Sequence, residues 1–364
     1  MNFNQRATTL LQLPISPITW DGILKECDRL EAEFLHIPSE YKWALDYKRF
    51  QVERERGNNS VALFYLKSAI ATMPYNNDIQ GDYKSLVKKT SGIKNFAMIV
   101  TSKKNEEKAL RLAAQFDHAN VEYMIVSGGD TQSINHVRAL QVDVSDRYES
   151  TPQKVAAAFT WVYENIGTNV GVLKVSDEMI VQDGTKLRQT LNRFYVDNVY
   201  AGVPMANLGH DRCLHWGLCT SQDLNQRVYG RPVLRAWAAG GAYYLGPKPL
   251  EKIVLSLLKF PGLFEGEYYE DKLMGDVLVF EGENLSECKS YAEFGLFLPG
   301  ALAAQPTATK QTSPAAAAPT LTIPAVAPAA APAKASVPAP AAPKAEASGQ
   351  KQSNPLKLSE WNSR

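Results

Sequence analysis

The pattern of apolar and polar positions divides the chain into three zones. From Met1 to about Ile93 it reads as helical, and Ser39 to Pro74 reads as a helix pair: SEYKWALDYKRFQVERERG, an Asn-Asn break, then SVALFYLKSAIATMP. Beyond it, strand and helix patterns alternate. Phe96-Ala97-Met98-Ile99-Val100 is a short buried strand, and Glu106 to Phe116 places Ala109, Leu110, Leu112, Ala113 and Phe116 at helical spacing. Val121 to Val126 is a second strand, ended by Gly128-Gly129. Pro152 to Ile166 is a helix with proline in its first turn, and Val170 to Val175 is a further buried strand. Such alternation predicts an α/β fold, with a mainly parallel, Rossmann-like sheet covered by helices. Ligands of such sheets bind at the carboxyl ends of the strands, which places a site near Ser176.

Within the helical zone, Gly57, Ala62, Ala69 and Pro74 match the spacing of the second half of a tetratricopeptide repeat. Small alanines let two helices approach closely, and proline ends the second. An ordinary helical hairpin explains the same residues, and one repeat must pack on a neighbour to bury its faces. The third zone begins near Ala301 with AAAAPTLTIPAVAPAAAPAKASVPAPAAPKAEAS. It lacks the large apolar residues of a core and repeats proline, so it predicts a disordered, extended linker. Leu356, Leu358 and Trp361 close the chain, either as a docking motif or as a plain terminus. The predicted organisation is therefore a helical region (1–93, with the repeat-like hairpin at 39–74), an α/β domain (94–300) and a tail (301–364).

Charge adds an exclusion. There are 39 basic and 38 acidic residues, giving a formal net charge of +1, so electrostatics argue for neither nucleic acid nor an anionic membrane as a partner. No run approaches the ~20 apolar residues of a membrane span, and the N-terminus lacks the apolar stretch of a signal peptide. The four cysteines, Cys27, Cys213, Cys219 and Cys288, form no C-x-x-C pair, which fits reduced thiols and a cytoplasmic protein.

The chemistry concentrates where the strand Val170–Val175 runs into Ser176-Asp177-Glu178. Acids at a strand's carboxyl end can hold a hard divalent cation. Such a cation would neutralise the diphosphate of a nucleotide-sugar. A surface strand end with two acids is the plain alternative. Upstream lies Asp146-Arg147-Tyr148-Glu149-Ser150-Thr151-Pro152-Gln153-Lys154, and downstream Tyr229-Gly230-Arg231-Pro232, then Trp237-Ala238-Ala239-Gly240-Gly241-Ala242-Tyr243-Tyr244. Last comes Tyr268-Tyr269-Glu270-Asp271-Lys272-Leu273-Met274-Gly275.

This ordered set resembles glycosyltransferase family 31, the β1,3-galactosyltransferases and N-acetylglucosaminyltransferases. That family carries D-x-Y-x-N-L-T-x-K, K-x-D-D-D-x-F-V, Y-P-x-Y-x-x-G-x-G-Y and E-D-V-x-x-G. The resemblance implies a type A glycosyltransferase domain that transfers a sugar from a UDP-sugar to a glycan acceptor with inversion, forming a β1,3-type bond. It implies Asp271, with Glu270, as the catalytic carboxylates, Asp271 being the base. It implies donor binding by Lys154, Lys174, Ser176, Asp177 and Glu178, with Mn2+ or Mg2+ held by Asp177 and Glu178. Trp237, Gly240, Gly241 and Tyr243 fall where the acceptor sugar would bind: glycine admits close approach and aromatic faces suit a sugar ring. His210-Asp211-Arg212 and His215-Trp216 are further candidates for the acceptor pocket.

The departures are specific. Ser176 stands where the family has an acid, and Glu178 where it has its last aspartate. SKKNEEKALRLAAQF replaces the family's arginine-rich start, and no histidine follows Asp271 to complete a metal shell. Acids also favour helix N-termini, which gives Glu270 and Asp271 an ordinary structural reading. Two other functions stay open: a catalytically silent glycan- or nucleotide-binding domain, and a scaffold recruiting a protein partner through the N-terminal helices or the C-terminal tail.

Overall fold

Helical spacing in the N-terminal zone produces α1 (Phe3–Gln12), α2 (Trp20–Glu33), α3 (Ser39–Glu55), α4 (Asn59–Thr72) and α5 (Asn77–Val87). The computed structural model describes residues 2–34, 36–88, 92–205, 217–226 and 235–299. Side chains close the helix starts. Asn2 and Gln5 form a reciprocal capping box on α1, and Asn76 accepts from Asp78 and Ile79 N–H at the start of α5. The α3–α4 hairpin turns at Gly57, whose φ of 79° is one that glycine adopts without strain. Ala62 and Ala69 are fully buried in it. Arg49 on α3, itself buried, is neutralised by Asp28 and Glu31 of α2, each 2.8 Å away.

These helices cover part of the α/β region, and the two belong to one compact unit. The remaining elements are β1 (Asn95–Val100), α6 (Glu106–His118), β2 (Glu122–Gly128), β3 (Ala139–Val142), α7 (Thr151–Asn165), β4 (Gly171–Ser176), β5 (Ile180–Val181), α8 (Gly184–Asp197) and β6 (Tyr200–Met205). They continue with α9 (Gln222–Gln226), β7 (Trp237–Leu245), α10 (Pro247–Lys259), α11 (Glu270–Phe280), β8 (Leu285–Glu287) and β9 (Leu296–Phe297). Tyr83 of α5 stacks on Tyr163 of α7 with ring centroids 6.3 Å apart, and its hydroxyl donates to Glu164 at 2.8 Å. Lys67 pairs with Glu164 and Lys84 with Glu251, both at 2.6 Å.

The main sheet has seven described strands in the order β3-β2-β1-β4-β7-β6-β8. All run parallel except β7, which is antiparallel to both β4 and β6. Helices α6 and α8 pack on one face, and α7, α10 and α11 on the other. On the first face Ile99, Ile125, Leu173 and Val175 meet Leu112, Phe116, Leu187 and Phe194 in one buried cluster. Burial of each such side chain stabilises the fold by roughly 1.5–3 kcal/mol. β5 and β9 form a separate two-stranded ribbon just past the end of β4.

The expected mixed α/β fold and mainly parallel sheet are present, with strands and helices within a residue or two of their predicted bounds. Two features differ. β7 reverses direction inside the parallel sheet, and Gly240-Gly241, expected at an acceptor site, lie in the middle of that strand. The strand order changes direction of growth between β1 and β4, and in such sheets the crevice at that point, outside the carboxyl ends, receives ligands. Residues 300–364, and with them the predicted tail, lie outside the described residues.

Candidate functional site

The last residues of β4 and the middle of β7 lie side by side. The antiparallel register sets Lys174 opposite Tyr243 and Val175 opposite Ala242, so the chain leaving β4 passes Gly240 and Gly241. The packing there requires glycine. A Cβ on Gly241 would lie 2.5 Å from Met179 Cε and 2.6 Å from the Tyr291 hydroxyl. A Cβ on Gly240 would meet Asp271 Oδ2 at 3.2 Å. One helix later, Gly275 lets α11 lie against β7, since a Cβ would come within 2.4 Å of Trp237 Cβ.

That close approach brings the first turn of α11 onto β7. Asp271 Oδ2 accepts from Gly240 N–H at 2.8 Å, and Oδ1 from Lys272 N–H at 2.9 Å. Burial, and then the neighbouring Glu270 charge, push the Asp271 carboxyl up to about 6. The indole N–H of Trp237 approaches that carboxylate without reaching hydrogen-bond geometry, and is a buried donor with no partner among the described residues.

Glu270 is buried and held from two sides. Lys174 Nζ is 2.9 Å from its Oε2, and the Tyr243 hydroxyl donates to its Oε1. Lys174 also donates to Gly240 O at 2.6 Å. The same lysine therefore ties β4, β7 and α11 together directly beneath Asp271. Tyr243 is wholly buried, and burial followed by the Glu270 charge holds its hydroxyl well above its ordinary pKa, keeping it a donor.

At the end of β4, Asp177 is buried and accepts from the Thr101 hydroxyl, which joins the carboxyl ends of β1 and β4. Burial raises the Asp177 carboxyl above its usual value, against the opposing effects of Thr101 and Lys108. Glu178 turns outward and lies 3.4 Å from Lys108 Nζ. Ser176 carries no charge; its Oγ accepts from Glu178 N–H at 3.4 Å. A second buried ion pair supports the end of β1. Lys154 Nζ reaches Asp146 Oδ1 at 2.7 Å and Thr101 O at 2.9 Å. Asp146 accepts in addition from Lys103 and Gly128 N–H, each at 2.7 Å. Burial alone would raise the Asp146 carboxyl, but Lys154 and the two backbone donors outweigh it and hold the group below its ordinary value.

An open cleft of about 360 Å3 lies at the end of β4, lined by Lys108, Arg111, Asp177, Glu178, Met179 and Pro299 among others. A larger cavity of about 410 Å3 lies at the amino ends of β1 and β2, beside Asn95, Glu122 and Arg188. It is at the opposite end of the sheet from every candidate carboxylate.

The expected residues fall into two groups, Lys174, Gly240, Tyr243, Glu270 and Asp271 around β7 and α11, and Asp177 with Lys154 around Thr101 at the ends of β1 and β4. Lys154 and Lys174 are buried and fully engaged with carboxylates and backbone carbonyls. They support the site from beneath and offer no free charge to a donor. Tyr243 and Trp237 are also buried, so neither presents an open ring face to an acceptor sugar. Gly240 and Gly241 are glycines because Asp271, Met179 and Tyr291 crowd them.

For a metal, the described residues contain no group of three or more His, Cys, Asp or Glu placed around one point. The donor set is two adjacent carboxylates, Asp177 and Glu178, lining one cleft. Two carboxylates alone leave most of the coordination shell of a hard divalent cation to other ligands. His210, Asp211, Arg212, His215 and Trp216 lie outside the described residues, as do Tyr229 to Pro232.

Thr101, Asp146, Lys108, Arg111 and Tyr291 were not singled out in the sequence. Asp146 left a signal, as the first acid of a matched segment ending in Lys154. The other four become visible only through the strand order and the packing.

No protein-family model matches the chain, and no curated protein matches it. No described helix is long and apolar enough to cross a membrane. No disulfide joins the described cysteines Cys27, Cys219 and Cys288, all of which are buried.

Proposed function

We propose that residues 94–300 form a type A glycosyltransferase domain, which transfers a sugar with inversion from a UDP-sugar to a glycan hydroxyl. The reading rests above all on Asp271, a carboxylate with a pKa of about 6, fixed by Gly240 N–H in the middle of β7. A group of that pKa is ionised at neutral pH and still basic enough to take a proton from an attacking hydroxyl. In the step, the acceptor oxygen passes its proton to Asp271 and bonds the anomeric carbon. The bond to the diphosphate oxygen breaks on the opposite face, and its electron pair leaves with UDP. Glu270, paired with Lys174 and accepting from the Tyr243 hydroxyl, fixes the first turn of α11, and its charge adds to burial in raising the Asp271 pKa. Asp177 and Glu178 would hold Mn2+ or Mg2+, which would offset charge on the departing diphosphate.

The silent-domain reading draws on Ser176, which leaves the end of β4 one acid short of the family pattern. The repeat-like hairpin α3–α4 exposes Val61 and Phe64, which supports a protein partner docking there. The buried thiols of Cys27 and Cys288 support a reducing compartment such as the cytoplasm.

Purified protein with Mn2+ and a panel of UDP-sugars and glycan acceptors should give a product of inverted anomeric configuration by NMR. Asp271→Asn should lose about 10²–10⁴ in kcat while still binding UDP. Full rate in that variant would remove Asp271 as the base. UDP binding without turnover across the panel would favour the silent domain.

A further inference from the structure

A nucleotide-sugar brings two phosphate charges to the cleft, and the lysines expected to meet them are unavailable. Lys154 and Lys174 are almost completely buried, and each is spent on a carboxylate and a backbone carbonyl. Moving either toward a ligand would strand Asp146 or Glu270 as an unpaired buried charge.

The cleft itself is walled on one side by α6, whose Lys108 and Arg111 stand on one helical face and line the same space as Asp177 and Glu178. Both are accessible. Lys108 lies 3.4 Å from the exposed Glu178, and Arg111, a lining residue of the cleft, makes a long contact of 3.4 Å from Nε to Glu107 O. Exposed contacts of this kind are weak enough to exchange for a ligand. Helix α6 follows β1 directly, so the two cations sit on the β1 side of the strand-order switch, across the cleft from the β4 acids.

We propose that Lys108 and Arg111 are the side chains that bind the diphosphate of the nucleotide donor. The assignment rests on the glycosyltransferase reading above. The arginine presents a planar fork to phosphate oxygens, and the lysine a mobile point charge. A divalent ion held by the adjoining acids would then fix the position of the diphosphate along the cleft.

The test is UDP affinity by calorimetry for the whole chain, with Mn2+ and with EDTA, at several salt concentrations. Lys108→Ala and Arg111→Ala should each weaken UDP about tenfold or more, and their affinities should depend less on salt. Lys108→Arg should restore most of the binding. Both positions are on the surface, so unchanged melting temperatures should accompany these losses. Wild-type binding that stays within twofold in both alanine variants would overturn the assignment and leave the enzymatic reading standing. A wild-type chain that binds no UDP in either condition would overturn both.

Discussion

The Asp271 environment makes a quantitative statement that Asp271→Asn can test without any substrate. In the folded chain the carboxyl titrates at about 6, against 3.8 for the ordinary group. The difference of about two pH units corresponds to roughly 3 kcal/mol, at 1.36 kcal/mol per unit. The folded state binds the proton more tightly than the unfolded state, so this group favours folding only at low pH. That contribution is fully present below about pH 4 and is lost as pH rises through about 6. Asparagine carries no charge at any pH and can still accept from Gly240 N–H through its amide oxygen. It cannot also accept well from Lys272 N–H, a loss of about 1 kcal/mol. Near pH 8 the variant should therefore be more stable than the wild type by about 1–2 kcal/mol, and near pH 4 less stable by about 1 kcal/mol. Urea unfolding followed by fluorescence across that range measures the difference directly. A difference independent of pH would refute the raised pKa, and with it the argument that Asp271 is tuned as a base.

Three further outcomes follow from the packing and ion pairs. Lys174→Met leaves Glu270 buried without its cation and should cost about 3–5 kcal/mol; adding Glu270→Gln should recover part of this in a double-mutant unfolding cycle. Asp146→Ala should cost a similar 3–5 kcal/mol near neutral pH, because Lys154 and two backbone donors lose their acceptor. The Asp146 carboxyl is held below its ordinary value, so its contribution is present above the unfolded pKa and disappears as pH falls through the folded one; the penalty should shrink in strongly acid unfolding titrations. Gly275→Ala should destabilise by about 1–3 kcal/mol through the clash with Trp237, read as a lower urea midpoint.

How far the sequence anticipates this site depends on what each residue does locally. β1, β2, β4, α6 and α7 are legible because their apolar spacing is set by a sheet buried on both faces. β7 is not, because Gly240-Gly241 at its centre reads locally as a breaker. Only the tertiary demand of Asp271, Met179 and Tyr291 for room explains glycine there. Lys174 illustrates a different difficulty. A lysine inside the run Gly-Val-Leu-Lys-Val-Ser signals a buried charge, but its partner Glu270 is far away in the chain. Its pairing and its purpose therefore emerge only from the fold. Lys108 and Arg111 look like ordinary surface charges on an amphipathic helix, and only the strand order places them at a ligand crevice.

The contact between α5 and α7 bears on how this chain can be divided or inherited. Tyr163 and Glu164 at the far end of α7, and Glu251 on α10, are completed by Tyr83, Lys67 and Lys84. A chain begun at residue 94 would present that surface to water with its stacking and charge partners removed. The change of pattern near Ile93 is therefore a change of secondary structure rather than a point of independence. Any recombination that carried the sheet to a new context would have to carry its helical cover as well.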